Sequence, residues 1–382
     1  MRIGILGTTW PYRGGLSAFN ERLARQFIAE GHEVEIFTFT MQYPDFLFPG
    51  KTQYSDAPQP ADLSITRTMN SIEPLSWIKT AKLIIDKKID LLVIKFWIPL
   101  MAPCLGTIAR LVRRKGVRVV SILDNVIPHE PHFWDKWLIR YFVNSVDRFV
   151  AMSASVRQDC LSFLPKQRHN CVALSPHPLY DNFGEPVDKQ QARKLLNLPQ
   201  DKTILLFFGF IRDYKGLDLL MKAYAKGQRD DVQCTKDLLL VVAGEFYNNG
   251  EQYIDLEQEL ELEGKIAWHT NFIPDDKVRL YFCAADLIVQ PYKSATQSGV
   301  TQIAYHFERP MLVTNVGGLA EIVPDGKVGY VCDVNEDSVA DAIKRFASLD
   351  PAQHEALFTK NIQIEKAKYA WDKMTSIILN RQ

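Results

Sequence analysis

Residues 290–321 read QPYKSATQSGVTQIAYHFERPMLVTNVGGLAE. The stretch begins at the end of an apolar run, residues 286–290 (DLIVQ), which predicts a strand. A loop of small hydroxyl and amide residues follows and ends at Ser298 and Gly299. Residues 300–307 carry a helix pattern that Pro310 stops, and residues 311–314 (MLVT) predict a second strand. The Gly317-Gly318 turn then opens another helix carrying Glu321. Two strand-to-helix turns thus stand side by side, each presenting free backbone N–H groups at a helix N-terminus. An α/β protein binds an anion, usually a phosphate, on such groups. Two ordinary βα turns are the alternative, because glycine-rich turns are common punctuation.

The same alternation fills the rest of the chain. Residues 2–6 (RIGIL) are a short apolar strand closed by Gly7. After the loop to Gly14 and Gly15, Ser17 is a candidate cap for a helix with Phe19, Leu23, Phe27 and Ile28 on one stripe. Residues 33–38 are the next strand, giving a βαβ unit without a GxGxxG fingerprint, so a dinucleotide is not the favoured ligand. Residues 41–62 read as an irregular surface excursion. Strands follow at 90–95, 118–123 and 147–152, with helices at 75–87, 103–115 and 134–144 between them.

Arg113, Arg114 and Lys115 suit the negative end of a helix dipole, a phosphate site being the alternative. Asp124 and Asn125, with His129 beyond them, follow a strand end, where α/β proteins place ligands; a simple turn cap is the alternative. The aromatic helix at 134–144 faces either the core or a membrane interface.

Residues 176–186 hold three prolines and mark a domain boundary. A second βα series begins at 202–208 (KTILLFF) and passes into Gly209, Arg212, Lys215 and Gly216. Strands at 238–243, closed by Gly244 and Glu245, and at 265–269 lead back to residue 286. Helices at 338–346 and 354–377 close the chain.

At 382 residues, two domains are the default. With 47% hydrophobic and 24% charged residues, the composition is that of an ordinary globular protein. Zero net charge argues against nucleic acid as a partner. Residues 1–180 hold 22 Lys and Arg against 15 Asp and Glu, and the remainder holds 23 against 30. A mildly basic first half suits an anionic surface or acceptor. The six cysteines are scattered, with no CxxC, as expected of buried thiols in a reducing compartment. The chain opens on a strand rather than a leader, and no apolar run is long enough to span a bilayer. The expectation is a cytoplasmic protein, with peripheral contact at the inner membrane face left open.

Two doubly wound domains facing a cleft place ligands at strand C-terminal ends. In the second series Arg212 and Lys215 can hold an anion from two directions, and the Ser298-Gly299 and Gly317-Gly318 turns add N–H donors. Together they read as a cradle for a diphosphate, which is also a leaving group whose developing charge the cradle would stabilise. Solvated loop charge is the alternative for the two cations.

Nearly the whole chain resembles family 4 glycosyltransferases. The matching text is residues 14–19 (GGLSAF), 125–130 (NVIPHE), 209–216 with Arg212 and Lys215, Gly244-Glu245, and 317–326 (GGLAEIVPDG). The resemblance implies an α/β fold of the GT-B type: two doubly wound Rossmann-like domains, 1–178 on the acceptor side and 179–366 on the nucleotide-sugar side. It also implies a last segment, 367–382, returning to the first domain. It implies a retaining hexosyl transfer from a nucleotide-diphosphate-sugar to a glycan or lipid-linked acceptor, as in polysaccharide biosynthesis, with no metal and no cofactor. Arg212 and Lys215 map to the family's diphosphate-binding pair, and Gly14 and Gly15 to its closing loop. The remaining donor-side candidates are Gly209, Gly244, Glu245, Thr296, Gln297, Ser298, Gly299, Gln302, Gly317, Gly318 and Glu321. Asp124 is the catalytic candidate of the first domain, with Asn125 and His129 on the acceptor side.

Two departures stand out. The family has two glutamates eight apart where this chain, aligned on Pro310, has Ala295 and Ile303. Thr296, Gln297, Ser298 and Gln302 would then supply neutral hydrogen bonds to sugar and ribose. Many members place a histidine after the strand that here ends in Leu123, where this chain has Asp124. A non-catalytic GT-B-like protein that binds nucleotide-sugar or glycan, or supports a partner enzyme, is the alternative reading. A nucleotide-sugar epimerase fits the turns less well.

Overall fold

Short runs of branched and aromatic apolar residues recur along both halves, and those at the sheet centres become strands buried on two faces. The computed structural model describes all residues except 44–52, 56, 129–131, 231–234, 248–249, 296–297 and 381–382. The first sheet contains β1 (Arg2–Leu6), β2 (Glu33–Met41), β3 (Ile65–Asn70), β4 (Leu91–Phe96), β5 (Arg118–Leu123), β6 (Arg148–Ala151) and β7 (Val172–Leu174). Their order is β3-β2-β1-β4-β5-β6-β7. The second contains β8 (Thr203–Phe208), β9 (Leu238–Ala243), β10 (Ile266–His269), β11 (Leu287–Gln290), β12 (Met311–Thr314) and β13 (Gly329–Cys332), in the order β10-β9-β8-β11-β12-β13. Neighbouring strands run parallel throughout. Each sheet therefore reverses its winding once, between β1 and β4 and between β8 and β11, and these are the switch points at which such sheets bind ligands.

Strand alternation sorts the first sheet into two cores. Ile3, Ile5, Leu91, Val93, Val120, Ile122 and Val150 face one side, with Phe19, Leu23 and Phe27 of the helix Gly15–Ala29. Leu92, Ile94, Phe96, Val119 and Phe149 face the other, beneath the helices Pro74–Asp86, Ala102–Arg113, Asp135–Val143 and Ala154–Ser162. Ser153 caps the last of these by accepting from the Val156 N–H at 3.3 Å.

The chain divides into two units, Met1–Pro178 with Ala370–Gln382, and Leu179–Tyr369. In the first, the helix Trp371–Leu379 lays Trp371, Met374 and Ile378 on the same core as Phe19. The Trp371 and Phe19 rings lie 5.1 Å apart, and the Arg22 guanidinium sits 5.0 Å over Trp371. In the second, Asp286 gathers Lys189, the Arg193 guanidinium at 2.6 Å and the Ile204 N–H at 2.6 Å. Buried Arg193 also donates to the carbonyls of Ala284, Gln200 and Lys202, so one ion pair ties the helix Lys189–Leu195 to the start of β8.

Several expectations change. Ser17 is no cap: the helix starts at Gly15, with Gly14 as its N-cap residue, and the Ser17 hydroxyl donates to Glu21 at 3.0 Å. Strands β7 and β13, three and four residues long and each at the edge of its sheet, have no counterpart in the sequence reading. The helical residues predicted over 354–377 divide into a π-helical turn Glu355–Thr359, a helix Lys360–Lys366, a 3-10 turn Ala367–Tyr369 and the helix Trp371–Leu379. No proline or glycine causes the last break. Tyr369 is held in the second unit, its ring 4.9 Å from Tyr305 and its carbonyl accepting from the Leu179 N–H, whereas Trp371 belongs to the first. Extended backbone at Ala370 joins the two.

Replacing Trp371 with Ala empties a site that is only 3% exposed. The expected loss in the stability of the first unit is about 3–5 kcal/mol, read from urea unfolding followed by far-UV circular dichroism. A loss under about 1 kcal/mol would show that the returning helix adds little to this core.

Candidate functional site

In the second unit β8 ends at Phe208, and the chain turns at Gly209 with φ +96°. A Cβ at Gly209 would lie 3.0 Å from Lys215 Nζ, so the glycine leaves room for the ammonium beside the backbone. Lys215 ends the 3-10 turn Asp213–Lys215, and Gly216 follows with φ +69°. A Cβ there would meet the Pro291 carbonyl at 2.0 Å, so the loop lies directly on the chain leaving β11. The Lys293 N–H donating to the Tyr214 carbonyl at 2.7 Å joins the same two segments. On the other flank the Ile211 N–H donates to the Glu245 carbonyl at 2.8 Å, and the Tyr247 N–H donates to the Ile211 carbonyl at 3.0 Å. These bonds bring Gly244 and Glu245, at the end of β9, beside the Arg212 loop. The Arg212 guanidinium lies 3.7 Å over the Tyr247 ring.

Two cations are therefore fixed close together. Burial, and then the field of Arg212, push the Lys215 ammonium down to about 8. Among the described residues no carboxylate is within ion-pair distance of either; Asp218 nearby is taken by Lys293 at 2.7 Å. The pair lacks the internal counter-charge that protein cations ordinarily find, and an anion with two charged oxygens would supply it.

The helix turns predicted beside this loop are less open than the sequence implies. Ser298 does begin the helix Gly299–His306, but its hydroxyl accepts from the Val300 N–H at 3.2 Å and touches the Tyr292 hydroxyl at 3.3 Å. One expected N–H donor is thus consumed by the cap. The Gly317-Gly318 turn opens only a one-turn helix, Leu319–Ile322, whose dipole is small, with Gly317 and Glu321 exposed and Gly318 buried. Gln302 is fully buried, and neither end of its carboxamide is hydrogen-bonded among the described residues. Ile303 is buried and Ala295 half-buried. Thr296 and Gln297 lie outside the described residues.

In the first unit Gly14 and Gly15 are exposed at the loop after β1. Glu21 organises that loop by accepting from the Thr9 hydroxyl at 2.8 Å, the Trp10 N–H at 3.1 Å and Ser17. Asp124 follows β5, and its Oδ1 accepts from Lys95 Nζ at 2.8 Å. Lys95 is on β4, 3% exposed, with its ammonium 3.3 Å over the Phe19 ring. Burial pushes the Asp124 carboxyl up and the Lys95 ammonium down, while their pairing opposes both changes. His177 also stacks edge-on to Phe19 at 5.2 Å. Burial and the Lys95 charge push its ring down to about 3, so it is neutral, and its Nδ1 donates to the Pro178 carbonyl at 2.7 Å. Asn125 is half-buried next to Asp124, and His129 lies outside the described residues.

Sequence reasoning missed Lys95, His177, Tyr247 and Tyr292. Lys95 did leave a signal, as the one charge in the apolar strand LLVIKF. A lysine in such a run has to meet a carboxylate or a π face. Tyr247 and Tyr292 carry no comparable mark, because aromatic residues near loops are ordinary.

These sites lie at the carboxyl ends of two Rossmann sheets, and known proteins share that arrangement. The first unit matches the family Glycosyltransferase Family 4 over residues 13–176, and the second matches Glycosyl transferases group 1 over residues 188–363. The chain is 26% identical over 245 residues to D-inositol 3-phosphate glycosyltransferase 1 of Catenulispora acidiphila, covering 62% of this chain and 57% of that protein. It spans about half the length of the curated relatives it matches. The sucrose-phosphate synthase of Thermosynechococcus elongatus superposes with a TM-score of 0.72 at 17% identity, covering 100% of this chain and 99% of that one. HepE of Anabaena, solved in complex with UDP, gives 0.73 at 16% identity over 100% and 99%. Those likenesses carry the GT-B fold. With both units matched by the family descriptions, the chain belongs to the group 1, family 4 glycosyltransferases.

Proposed function

We propose that the chain is a retaining glycosyltransferase that moves a sugar from a nucleotide-diphosphate-sugar to a glycan or lipid-linked acceptor without a metal. The observation that supports this most is the Arg212–Lys215 pair, two cations held together with no carboxylate among the described residues beside them. As the bond from the sugar to the diphosphate breaks, negative charge grows on the departing phosphate. Two fixed cations stabilise that charge more than they stabilise the intact donor, which lowers the barrier. A UDP-sugar is the first donor to test, since HepE, with the same fold, has been solved with UDP and with UDP-glucose.

With Ala295 and Ile303 in place of the family's glutamates, the buried Gln302 carboxamide is the neutral group left to hold the donor's hydroxyls. Asp124 supplies the carboxylate of the first unit, kept in place by Lys95.

Release of nucleoside diphosphate from a panel of nucleotide-sugars tests the reading. Arg212→Ala and Lys215→Ala are each expected to lower turnover by about 10²–10³, with KM for the donor also raised. Wild-type turnover that neither substitution changes would remove the proposal.

Asp124→Asn keeps the shape and removes the charge. Turnover is expected to fall by roughly 10² or more while UDP affinity, set in the other unit, stays unchanged. Undiminished turnover in this variant would leave Asp124 a structural partner of Lys95 only.

Lys215 also sets a pH dependence. Its proton is bound in the free protein below about 8 and leaves above it. UDP affinity measured by calorimetry should therefore be flat from neutrality to about 8 and weaken as the pH rises further. Lys215→Arg stays charged, and its affinity should not show the fall. The same slope in both proteins would assign the titration to another group.

A further inference from the structure

Cations drawn into a fold ordinarily rest on carboxylates, yet the two in the Arg212 loop rest on aromatic rings. The Arg212 guanidinium lies 3.7 Å over the Tyr247 ring, and the Lys215 ammonium lies 5.7 Å over the Tyr292 ring. Both distances fall within the roughly 6 Å over which a ring face attracts a cation. Each ring is held from outside the contact. The Tyr247 N–H donates to the Ile211 carbonyl at 3.0 Å, which fixes Tyr247 against the residue before Arg212. Tyr292 is 3% exposed, and its carbonyl accepts from the Thr314 hydroxyl, at the end of β12, at 2.5 Å. Its own hydroxyl lies 3.3 Å from that of Ser298, the residue that starts the helix carrying Gln302. Burial pushes the Tyr292 phenol up, so the ring stays neutral.

A ring and a carboxylate act differently on a cation. A carboxylate cancels its charge, occupies its N–H donors and repels an incoming phosphate. A ring face attracts the charge through its quadrupole, carries no net charge of its own and leaves the in-plane N–H groups of a guanidinium unused. Arg212 shows the result: its Nε is buried with no hydrogen-bond partner among the described residues. The other charged and titratable groups around Lys215 are engaged elsewhere or lie to one side. Arg212 and Asp213 share its turn, and Asp213 is 3.5 Å from the Tyr253 hydroxyl. Lys293, on the chain leaving β11, is paired with Asp218 at 2.7 Å. Tyr214 meets the Tyr292 ring edge-on at 6.0 Å, and Glu245 follows the end of β9.

We propose that Tyr247 and Tyr292 are positioning residues of the anion site, their ring faces holding the Arg212 guanidinium and the Lys215 ammonium in place while the N–H groups of both stay available to the ligand. The proposal rests on the reading of this pair as a diphosphate site. Tyr292 has a second part in it. Through Ser298 the ring is tied to the start of the helix that carries Gln302, and through Thr314 to the end of β12. Lys215 and the Gln302 carboxamide are thereby kept in one register, which matters because a misplacement of about 1 Å at a reacting group costs turnover.

Lys215 reports on both rings without any ligand. The full chain is labelled with carbon-13 at the lysine ε carbons, the Lys215 signal is identified by its loss in Lys215→Arg, and its titration is followed by NMR. Tyr292→Leu removes the ring face, so Lys215 should release its proton at a pH lower by about 0.5–1 than in wild type. Tyr247→Leu frees Arg212 to swing away, and the field of Arg212 is one of the causes that hold the Lys215 proton loosely, so here the titration should move up instead. Tyr292→Phe and Tyr247→Phe keep the faces and should titrate as wild type does. Leucine at buried position 292 also changes the packing, so Tyr292→pentafluorophenylalanine serves as a second variant. It keeps the shape of the ring, reverses the charge of its face and should lower the titration as leucine does. The proposal fails if Lys215 titrates alike in wild type and the fluorinated variant, if Tyr247→Leu leaves the titration in place, or if the Phe variants follow the Leu variants. With a nucleotide-sugar that wild type turns over, each Leu substitution should lower turnover by about tenfold or more, and each Phe substitution should retain it. Absence of wild-type turnover would remove the proposed transfer and leave the titration result standing, so the two failures are told apart.

Discussion

A parallel sheet points every strand the same way, so the loops at the carboxyl ends of its strands all gather along one edge. Both units are built on this constraint, and it does more for the candidate sites than any single residue. Gly209, Gly244, Pro291 and Gly317 are more than a hundred residues apart at the extremes, yet each follows a strand of one sheet and so reaches the same edge. Where the winding reverses, the loops on either side diverge and leave a gap. Arg212 and Lys215 follow β8 at one such reversal, and Lys95 and Asp124 end β4 and β5 beside the other.

The two edges treat charge in opposite ways. In the first unit Lys95 is satisfied by Asp124 and by the Phe19 ring, a closed arrangement in which burial of one charge is offset by the other. In the second, Arg212 and Lys215 repel one another, and no carboxylate among the described residues relieves them. Placing two cations in this way costs folding stability, a cost that a bound dianion would reverse. Glycines at 209 and 216 make the arrangement possible, since a side chain at either would meet the Lys215 ammonium or the Pro291 carbonyl.

Much of this was legible beforehand. The alternation of apolar runs with amphipathic stripes, punctuated by glycine after strands, implies two Rossmann series, because each period is local and each breaker acts on its own neighbours. The loop with Arg212 and Lys215 could be read as anion-binding because both cations lie within eight residues of a strand end. Lys95 was visible as a charge in an apolar strand but went unread, since its partner is 29 residues away. The helix turn at Ser298 was read too generously: the serine that marks the helix start also consumes one of its donors. The helix at 134–144 allowed two readings, core or membrane interface, and only its packed neighbours show that Ile139, Phe142 and Val143 are buried while Trp137 stands in water.

By itself, the sequence determined most of the secondary elements, their order and the identity of the cations after β8, all of which depend on contacts within a turn or two of the chain. It also determined that no carboxylate stands at 295 or 303. Tertiary structure alone decided which charges are neutralised and which remain available, which helix faces stay in water, and where the closing helix breaks. Those outcomes depend on groups that the sheets bring together from distant segments. Pairing, burial and desolvation are properties of that assembly, and no window of sequence contains them.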